Sequence, residues 1–229
     1  MNTYRRVYAK IDLDAILNNV KEIRRLIRAD SKIIAVIKAN GYGHGARQIA
    51  ATLEPLEEIY GFAVATAEEA LELREHGIKK PILILGYVFA EHAPMLVAHD
   101  IRPAVFTMEA AEQLSKAAGA LGKDISIHIK IDTGMSRIGM QVCKESAVLV
   151  AQIAALPHIN VEGVFTHFAR ADEADKTPTS QQLAKFHQMA GMIEQEGVVI
   201  PYRHCANSAS IIDLPQTDLG LVRAGIILY

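Results

Sequence analysis

The chain has 229 residues, half of them hydrophobic, and a formal net charge of −2 at pH 7. This length can bury a sizeable core, so it predicts one large α/β domain or two small ones. The nearly balanced charge gives no electrostatic reason to expect nucleic acid or an anionic membrane as a partner, and it favours a small molecule.

The N-terminal residues and the cysteines indicate a reducing compartment. Residues 1–8 lack the apolar stretch of a signal peptide, and no apolar run is long enough to span a membrane. Cys143 and Cys205 form no Cys-x-x-Cys pair, so both are interpreted as free thiols, with Cys205 a small buried hydrophobe. The sequence therefore predicts a cytoplasmic protein without a disulfide or a metal site.

The first predicted element is an amphipathic helix. Asp12 is placed to cap its N-terminus. Its apolar residues share one face at helical spacing: Leu13, Ile16, Leu17, Val20, Ile23 and Ile27. This extra N-terminal helix is expected to pack on the strands that follow.

Eight apolar, β-branched runs come next, with helical stretches between them. Several runs are almost continuously hydrophobic, as parallel strands buried on both faces are. Thr66 and Thr107 are start signals for helices through Leu73 and Leu121. The predicted strands are residues 33–38, 60–65, 82–85, 102–106, 125–131, 161–166, 202–206 and 219–228. This alternation predicts a single (β/α)8 barrel over residues 1–229, with a doubly wound open sheet as the alternative.

The first predicted strand ends on a lysine, Lys38, which a glycine-rich turn follows. Partial desolvation at the mouth of a buried strand favours the neutral, nucleophilic amine that a Schiff-base lysine needs. Taken alone, a strand-end lysine more often simply reaches solvent. Gly41, Gly43 and Gly45 add weak support for a site, because they let the backbone approach a ligand closely.

Residues 36–45 read Val-Ile-Lys-Ala-Asn-Gly-Tyr-Gly-His-Gly, which resembles the pyridoxal phosphate attachment segment of alanine racemases. The usual form of that segment has alanine in place of Gly41. The resemblance implies an enzyme that interconverts L-alanine and D-alanine and supplies D-alanine for peptidoglycan. It implies that Lys38 attaches the cofactor, pyridoxal 5'-phosphate, and that Tyr42 adds a phenol to its site.

A polar loop after the fifth predicted strand carries Arg137, whose guanidinium could bind a carboxylate through two parallel hydrogen bonds. A surface ion pair is the more common role of an isolated arginine. Residues 132–139, Asp-Thr-Gly-Met-Ser-Arg-Ile-Gly, resemble the racemase loop whose arginine lies beside the cofactor and the substrate carboxylate. Lys130 is expected to point into the barrel, where the resemblance implies that it could be carbamylated.

The sixth predicted strand ends in residues 165–169, Phe-Thr-His-Phe-Ala. His167 could be a structural hydrogen bonder, as histidines at strand ends often are. The resemblance implies instead that it lines the cofactor and contacts the arginine beneath it. The resemblance also implies that Arg223 faces the pyridine nitrogen of the cofactor. The resemblance also places Leu85 and Asn207 at the cofactor.

Loops after the seventh and eighth strands of such barrels commonly bind phosphate through backbone N–H groups and a hydroxyl at a helix start. Ser208 and the amides of Gly225 and Ile226 fit that role. An ordinary N-cap is the alternative role of Ser208.

Racemisation requires acid/base groups on both faces of the substrate, and Lys38 supplies only one. The resemblance assigns the other to a tyrosine from a C-terminal β domain, donated across a head-to-tail homodimer. The chain ends at Tyr229, where family members continue, so it is expected to be the barrel without that β domain and to racemise poorly alone. The alternatives are a non-catalytic pyridoxal phosphate carrier and a racemase of serine or another small amino acid.

Overall fold

A computed structural model describes residues 7–229 of the chain. Residues 1–6 lie outside the described residues. They include most of the N-terminal segment that lacks a signal-peptide pattern, and the start of the predicted domain. The strands are β1 (Lys32–Val36), β2 (Ile59–Val64), β3 (Ile82–Ile84), β4 (Arg102–Val105), β5 (Ile125–Lys130), β6 (Ile159–Phe165), β7 (Tyr202–His204) and β8 (Leu221–Ala224).

All strand pairs are parallel, and they run in the order β7-β6-β5-β4-β3-β2-β1-β8. Each strand therefore neighbours the next one along the chain, and β1 also pairs with β8. Between β7 and β8 the Arg223 amide donates to the carbonyl of Ala206 over 3.1 Å. The sheet is a nearly closed (β/α)8 barrel, which confirms the predicted fold and excludes the doubly wound alternative.

Helices cover the outside of the barrel. They are α1 (Leu13–Leu26), α2 (Ala46–Leu53), α3 (Ala67–Glu75), α4 (Ala93–Ala98), α5 (Met108–Leu121), α6 (Lys144–Ala154), α7 (Thr177–Gln195) and α8 (Ser208–Asp213). Short 3-10 turns span Ala90–His92, Pro215–Thr217 and Ile226–Leu228. Thr66 and Thr107 cap α3 and α5 as predicted.

The extra N-terminal helix is present where the sequence predicts it. The Asp12 carboxylate accepts from the amides of Asp14 and Ala15 over 3.0 and 3.2 Å. The buried face of α1 includes Ile16, Val20 and Ile23. Asn19 donates to the carbonyl of Leu228 over 3.0 Å, so α1 packs where the chain leaves β8.

Three predicted strands are too long by two or more residues at their C-terminal ends, and the seventh strand ends at His204 rather than at residue 206. The first ends at Val36 rather than at Lys38, because residues 39–42 turn back in a left-handed conformation. The eighth ends at Ala224 rather than at residue 228. Gly225 has φ −111° and ψ −107°, which takes the chain out of the strand and into a 3-10 turn.

The two sides of the barrel interior differ in polarity. Its apolar part is a small cluster built around Ile34, Val36, Ala63, Leu83 and Leu221. On the side of β5 to β8 the buried side chains include four polar or charged ones: His128, Lys130, His204 and Arg223. Barrel interiors are usually filled by branched apolar residues, so this polar half marks the region to search for function.

Cys143 and Cys205 are both free, and Cys205 is fully buried. Among residues 7–229, no helix is both long and apolar enough to cross a membrane.

Candidate functional site

A cavity of about 380 Å3 opens at the carboxyl ends of the strands. Every residue predicted for the site lines it, apart from Ile226: Lys38, Tyr42, Leu85, Lys130, Arg137, His167, Asn207, Ser208, Arg223 and Gly225. Ile226 is 69% exposed and lies outside this lining. The barrel thus brings together side chains from the ends of β1, β3, β5, β6, β7 and β8.

Lys38 lies on a left-handed helical turn, residues Lys38–Tyr42, which we call the Lys38 turn. Ala39, Asn40, Gly41 and Tyr42 all have φ between 51° and 63°. For residues other than glycine this conformation costs roughly 1–2 kcal/mol each. The Lys38 Nζ atom lies 5.9 Å from the centroid of the Tyr42 ring. Both side chains therefore reach the cavity from one strained segment, whose handedness the sequence does not reveal.

Hydrogen bonds hold the Lys38 turn in this conformation. Gly41 N donates to Ile37 O over 2.8 Å, and the Asn40 side chain accepts from Ala46 N over 3.0 Å. The Glu69 carboxylate accepts from Ala39 N over 2.6 Å and from Ala65 N over 2.7 Å. Sequence reasoning missed this role of Glu69, because the pattern that contains it predicts only a helix cap.

Polar atoms converge where Gly225 has no side chain. Gly225 N donates to the Ser208 hydroxyl over 3.1 Å. A Cβ placed on Gly225 would lie 3.1 Å from the Tyr42 hydroxyl and 3.5 Å from the Ser208 hydroxyl. Burial raises the pKa of Tyr42, so its phenol remains a hydrogen-bond donor. These groups converge at the start of α8, where they could bind an anion, and we call them the anion cradle.

Asn207, not Ser208, caps α8, which answers the alternative left open by the sequence. The Asn207 side chain accepts from Ser210 N over 3.1 Å, and the Ser210 hydroxyl accepts from Asn207 N over 2.9 Å. This capping box fixes the helix start. It leaves the Ser208 hydroxyl directed towards Gly225 and the cavity.

Arg223 is buried beneath the cavity with its guanidinium across the seam between β7 and β8. Its two Nη atoms donate to the carbonyls of Thr166, His204 and Cys205 over 2.7 to 3.1 Å. Burial lowers the pKa of Arg223 to about 10, so the group stays protonated near neutral pH. Its Nε–H makes no hydrogen bond to a described residue and is left for an acceptor in the cavity.

A directed hydrogen-bond chain runs from Arg223 through the barrel. Arg223 Nη1 contacts His204 Nδ1 at 2.9 Å, His204 Nε2 contacts His128 Nδ1 at 2.8 Å, and His128 Nε2 contacts Glu162 at 3.2 Å. Because arginine only donates, each histidine must accept at Nδ1 and donate from Nε2. The chain therefore links a buried cation to a carboxylate through two neutral imidazoles.

The protonation states of the two histidines and Glu162 agree with donation in the direction from Arg223 to Glu162. Burial lowers the pKa of His128 and of His204, which keeps both rings neutral. Burial alone would raise the pKa of Glu162, but the His128 N–H and Arg102 hold it at about 2. The sequence did not predict His128, His204 or Glu162 as site residues, since their connection exists only after β5, β6 and β7 assemble.

Lys130 points into the barrel, as its strand position predicts. It is 1% exposed, and its amine donates to the carbonyl of Ile131 over 2.8 Å. Burial and the nearby Arg223 charge lower its pKa to about 7. Arg137 lines the same cavity but is exposed, with no hydrogen bond or ion pair to a described residue. Its guanidinium is therefore available to a ligand.

His167 faces the cavity as a neutral ring. Burial, followed by the charges of Arg223 and Arg137, lowers its pKa to about 3. The resemblance implies a contact between His167 and an arginine, but among the described residues its ring makes no hydrogen bond to Arg137 or Arg223. The backbone of this loop is held by Gln182 of α7, which donates to His167 O over 3.2 Å and accepts from Ala169 N over 2.9 Å. No motif in the sequence points to Gln182, which follows the loop by 13 to 15 residues.

This fold and this site define a (β/α)8 barrel protein whose cavity, at the carboxyl ends of the strands, is lined by a lysine, the anion cradle and buried cationic side chains. Residues 11–229 match the family described as "Alanine racemase, N-terminal domain". The chain belongs to this family, as the resemblance in its motifs predicts.

Similar proteins extend the comparison. The alanine racemase of Methanococcus maripaludis is 48% identical over 97% of this chain and 60% of its own length. That of Clostridium perfringens strain SM101 is 49% identical over 98% and 58%, respectively. A structure of Clostridium difficile 630 alanine racemase in complex with cycloserine is 41% identical, with a TM-score of 0.95 over 99% of this chain and 62% of that one. The chain thus spans about three fifths of the length of these relatives.

Proposed function

We propose that this chain binds pyridoxal phosphate and forms the cofactor-binding barrel of an enzyme that interconverts L-alanine and D-alanine. One observation carries the proposal: a lysine amine, an anion cradle and the free Nε–H of a buried arginine open on the same cavity. Its family is generally dependent on this cofactor. Relatives that it matches are named alanine racemase.

The residues fit the cofactor at three points. The cradle of Tyr42, Ser208 and the Gly225 amide would bind the phosphate. Gly225 has no side chain, so the space between these groups is open to an anion. The Lys38 amine would hold the cofactor covalently at its aldehyde carbon, with the aldehyde oxygen released as water. Arg223 would donate its Nε–H to the pyridine nitrogen and keep its own proton, since guanidinium is a poor acid.

When bound, pyridoxal phosphate withdraws electrons from the amino acid and makes its α-proton acidic. Lys38, once displaced from the cofactor by the substrate amine, would take or return that proton on one face. Arg137 is free of protein partners among the described residues, so it would bind the substrate carboxylate. His167, held neutral, would line the cofactor without adding charge.

The opposite face needs a second acid/base group, which the resemblance assigns to a domain outside the barrel. We therefore propose that the 229-residue chain alone racemises alanine slowly. One base is nevertheless enough to exchange the α-proton with solvent and to return it on the same face. The loaded chain should then exchange the α-proton of one alanine enantiomer in D2O without loss of optical purity.

Proton NMR of each alanine enantiomer, incubated in D2O with the chain and pyridoxal phosphate, tests this directly. Lys38→Ala should abolish the exchange, while Lys32→Ala, an exposed lysine at the start of β1, should leave it unchanged. Exchange of neither enantiomer, with cofactor bound, would favour the non-catalytic carrier. Faster exchange of serine than of alanine would favour a racemase of another small amino acid.

We also propose that Lys130 is carbamylated. A buried amine with a pKa of about 7 and one hydrogen-bond acceptor, Ile131 O, is largely neutral above pH 7. Its lone pair can add to the carbon of CO2, form the N–C bond and release one proton, which leaves a carbamate anion near Arg137. Carbon-13 NMR in 13C-bicarbonate should show a carbamate signal that Lys130→Ala removes. No signal in the unsubstituted chain would contradict the modification.

Activity in the cytoplasm, the supply of D-alanine to peptidoglycan and assembly as a head-to-tail homodimer stay predictions from the family resemblance.

A further inference from the structure

The position of the Lys38 amine depends on the peptide that follows it. Residues 39–42 form the left-handed part of the Lys38 turn, and three of these four residues carry a side chain that disfavours this conformation. The Tyr42 ring lies on the same turn, 5.9 Å from the Lys38 amine. A relaxation of this turn would therefore move two groups of the cavity together.

Glu69 provides the contact that joins this turn to the barrel. It stands at the third position of α3, after the Thr66 cap, where a glutamate ordinarily bonds back to the amide of the cap residue. Instead, one oxygen accepts from Ala39 N over 2.6 Å and the other from Ala65 N over 2.7 Å. The two amides follow the ends of β1 and β2. One carboxylate therefore holds together the two segments that leave these strands at the mouth of the cavity.

The charge of Glu69 strengthens these two bonds. Hydrogen bonds from backbone amides to a carboxylate are shorter and about twice as strong as those between neutral groups. Ala39 N is the first amide after Lys38, and a water molecule would be its alternative partner. The Glu69 side chain is half-buried, and the strained turn needs a partner that does not exchange with solvent.

We propose that Glu69 is a positioning residue that sets the direction of the Lys38 amine by holding the Ala39 amide. The inference deepens the proposed function, on which its chemical consequence rests. It predicts that the loss of this carboxylate slows the bonding of Lys38 to an aldehyde while the barrel stays folded.

The first measurement uses the cofactor-free chain. Amide NMR should show Ala39 and Ala65 N–H protons shifted downfield, and in Glu69→Ala both should move upfield and exchange with solvent at least about tenfold faster. Glu69→Gln has the same shape but keeps one acceptor oxygen, so it should lose one of the two bonds. Glu68→Ala is the matched control, because Glu68 is a carboxylate on the same helical turn whose side chain is 73% exposed.

The second measurement follows attachment of pyridoxal phosphate to Lys38 over time, trapped by borohydride and quantified on the Lys38 peptide. We expect the rate to fall by about tenfold in Glu69→Gln and further in Glu69→Ala, and to stay within about twofold in Glu68→Ala. Circular dichroism and urea midpoints report folding in each variant. If Glu69→Ala does not fold, Glu69→Gln decides the question.

Unchanged Ala39 signals in both Glu69 variants would overturn the proposal, as would attachment rates equal to that of Glu68→Ala. If the unsubstituted chain attaches no pyridoxal phosphate, the proposed function fails. The amide measurements then still decide whether Glu69 holds the turn.

Discussion

Single residues in this barrel carry charge where solvent cannot reach it. Lys130 and Arg223 are both buried, and neither forms an ion pair with a described residue. Arg223 is compensated by three backbone carbonyls, whereas Lys130 has one. The positive charge of Lys130 is therefore less well stabilised in the folded protein than that of Arg223.

Lys130→Met tests the free-energy cost of burying the Lys130 charge, because methionine fills a similar volume without the charge. The folded pKa of Lys130, about 7, lies below the ordinary value of 10.5. The cost of its charge is thus fully present below pH 7 and disappears as the pH rises from 7 towards 10.5. In CO2-free buffer, Lys130→Met should stabilise the protein at pH 6 by about 1–3 kcal/mol, and by less at pH 9.

Urea unfolding at the two pH values measures this difference. Lys32→Met, on an exposed lysine, provides the control and should show no such pH dependence. An equal effect of Lys130→Met at pH 6 and at pH 9 would contradict the account of Lys130.

The sequence predicted the identity of most cavity residues, because motifs that resemble those of a known family follow the ends of its apolar runs. It did not predict their partners. Glu69 reads as a capping residue, and Gln182 as one position on a long helix, since a sequence does not show which distant amides a side chain will meet. The left-handed Lys38 turn is hidden for a similar reason: only Asn40 and Gly41 hint at positive φ, and Ala39 and Tyr42 argue against it.

Among the elements, the β5 and β6 pair is built around His128. Ile127 pairs with Val161 and His128 with Gly163, so Glu162 has no partner in the ladder. This irregularity is a β-bulge, a feature that redirects side chains. A Cβ on Gly163 would lie 2.6 Å from His128 Nδ1, so the glycine makes room for the ring.

Gly163→Ala should therefore displace His128 and break its 2.8 Å hydrogen bond to His204. We expect a loss of stability of about 1–3 kcal/mol, the usual cost of overpacking. Gly191→Ala is the matched control: Gly191 lies within α7, with no atom within 4 Å of an added Cβ. This second change should be neutral or stabilise the helix by up to about 1 kcal/mol.

Thermal or urea unfolding of both variants compares the two glycines. Equal stabilities of Gly163→Ala and Gly191→Ala would show that His128 does not need the space.

At the scale of the whole molecule, the pattern of strands and helices is that of an ordinary barrel, whereas the polar half of the interior is unusual. Its strand and helix pattern follows from apolar runs and caps, which is why the sequence predicts the (β/α)8 fold and seven of the eight strands to within two residues at each end. The short β8 is the exception, because Gly225 ends it in the middle of an apolar run that resembles a longer strand. The polar half of the interior makes stability depend on pH.

Stability should fall as the pH drops below about 6.5. His128, His167 and His204 have pKa values lowered by burial, so they stay neutral in the folded protein while the unfolded chain binds protons. Glu162, with a pKa of about 2, adds stability that is present above pH 4.5 and lost below it. Asp218, whose pKa burial raises to about 6, acts in the opposite direction but is a single group.

His167→Gln should reduce this pH dependence and stabilise the protein by about 2 kcal/mol at pH 5 relative to pH 7. His99→Gln, on an exposed histidine, should leave it unchanged. Urea midpoints at both pH values give the comparison. Parallel pH profiles for the two variants would mean that His167 is not held neutral.

The central claim is that the cavity binds pyridoxal phosphate through Lys38. Incubation of the chain with pyridoxal phosphate, followed by borohydride reduction, proteolysis and mass spectrometry, tests it most directly. The account predicts that the reduced cofactor is found on the peptide that carries Lys38, and that Lys38→Ala removes it. Labelling spread over exposed lysines, or labelling that persists in Lys38→Ala at the same level, would contradict it.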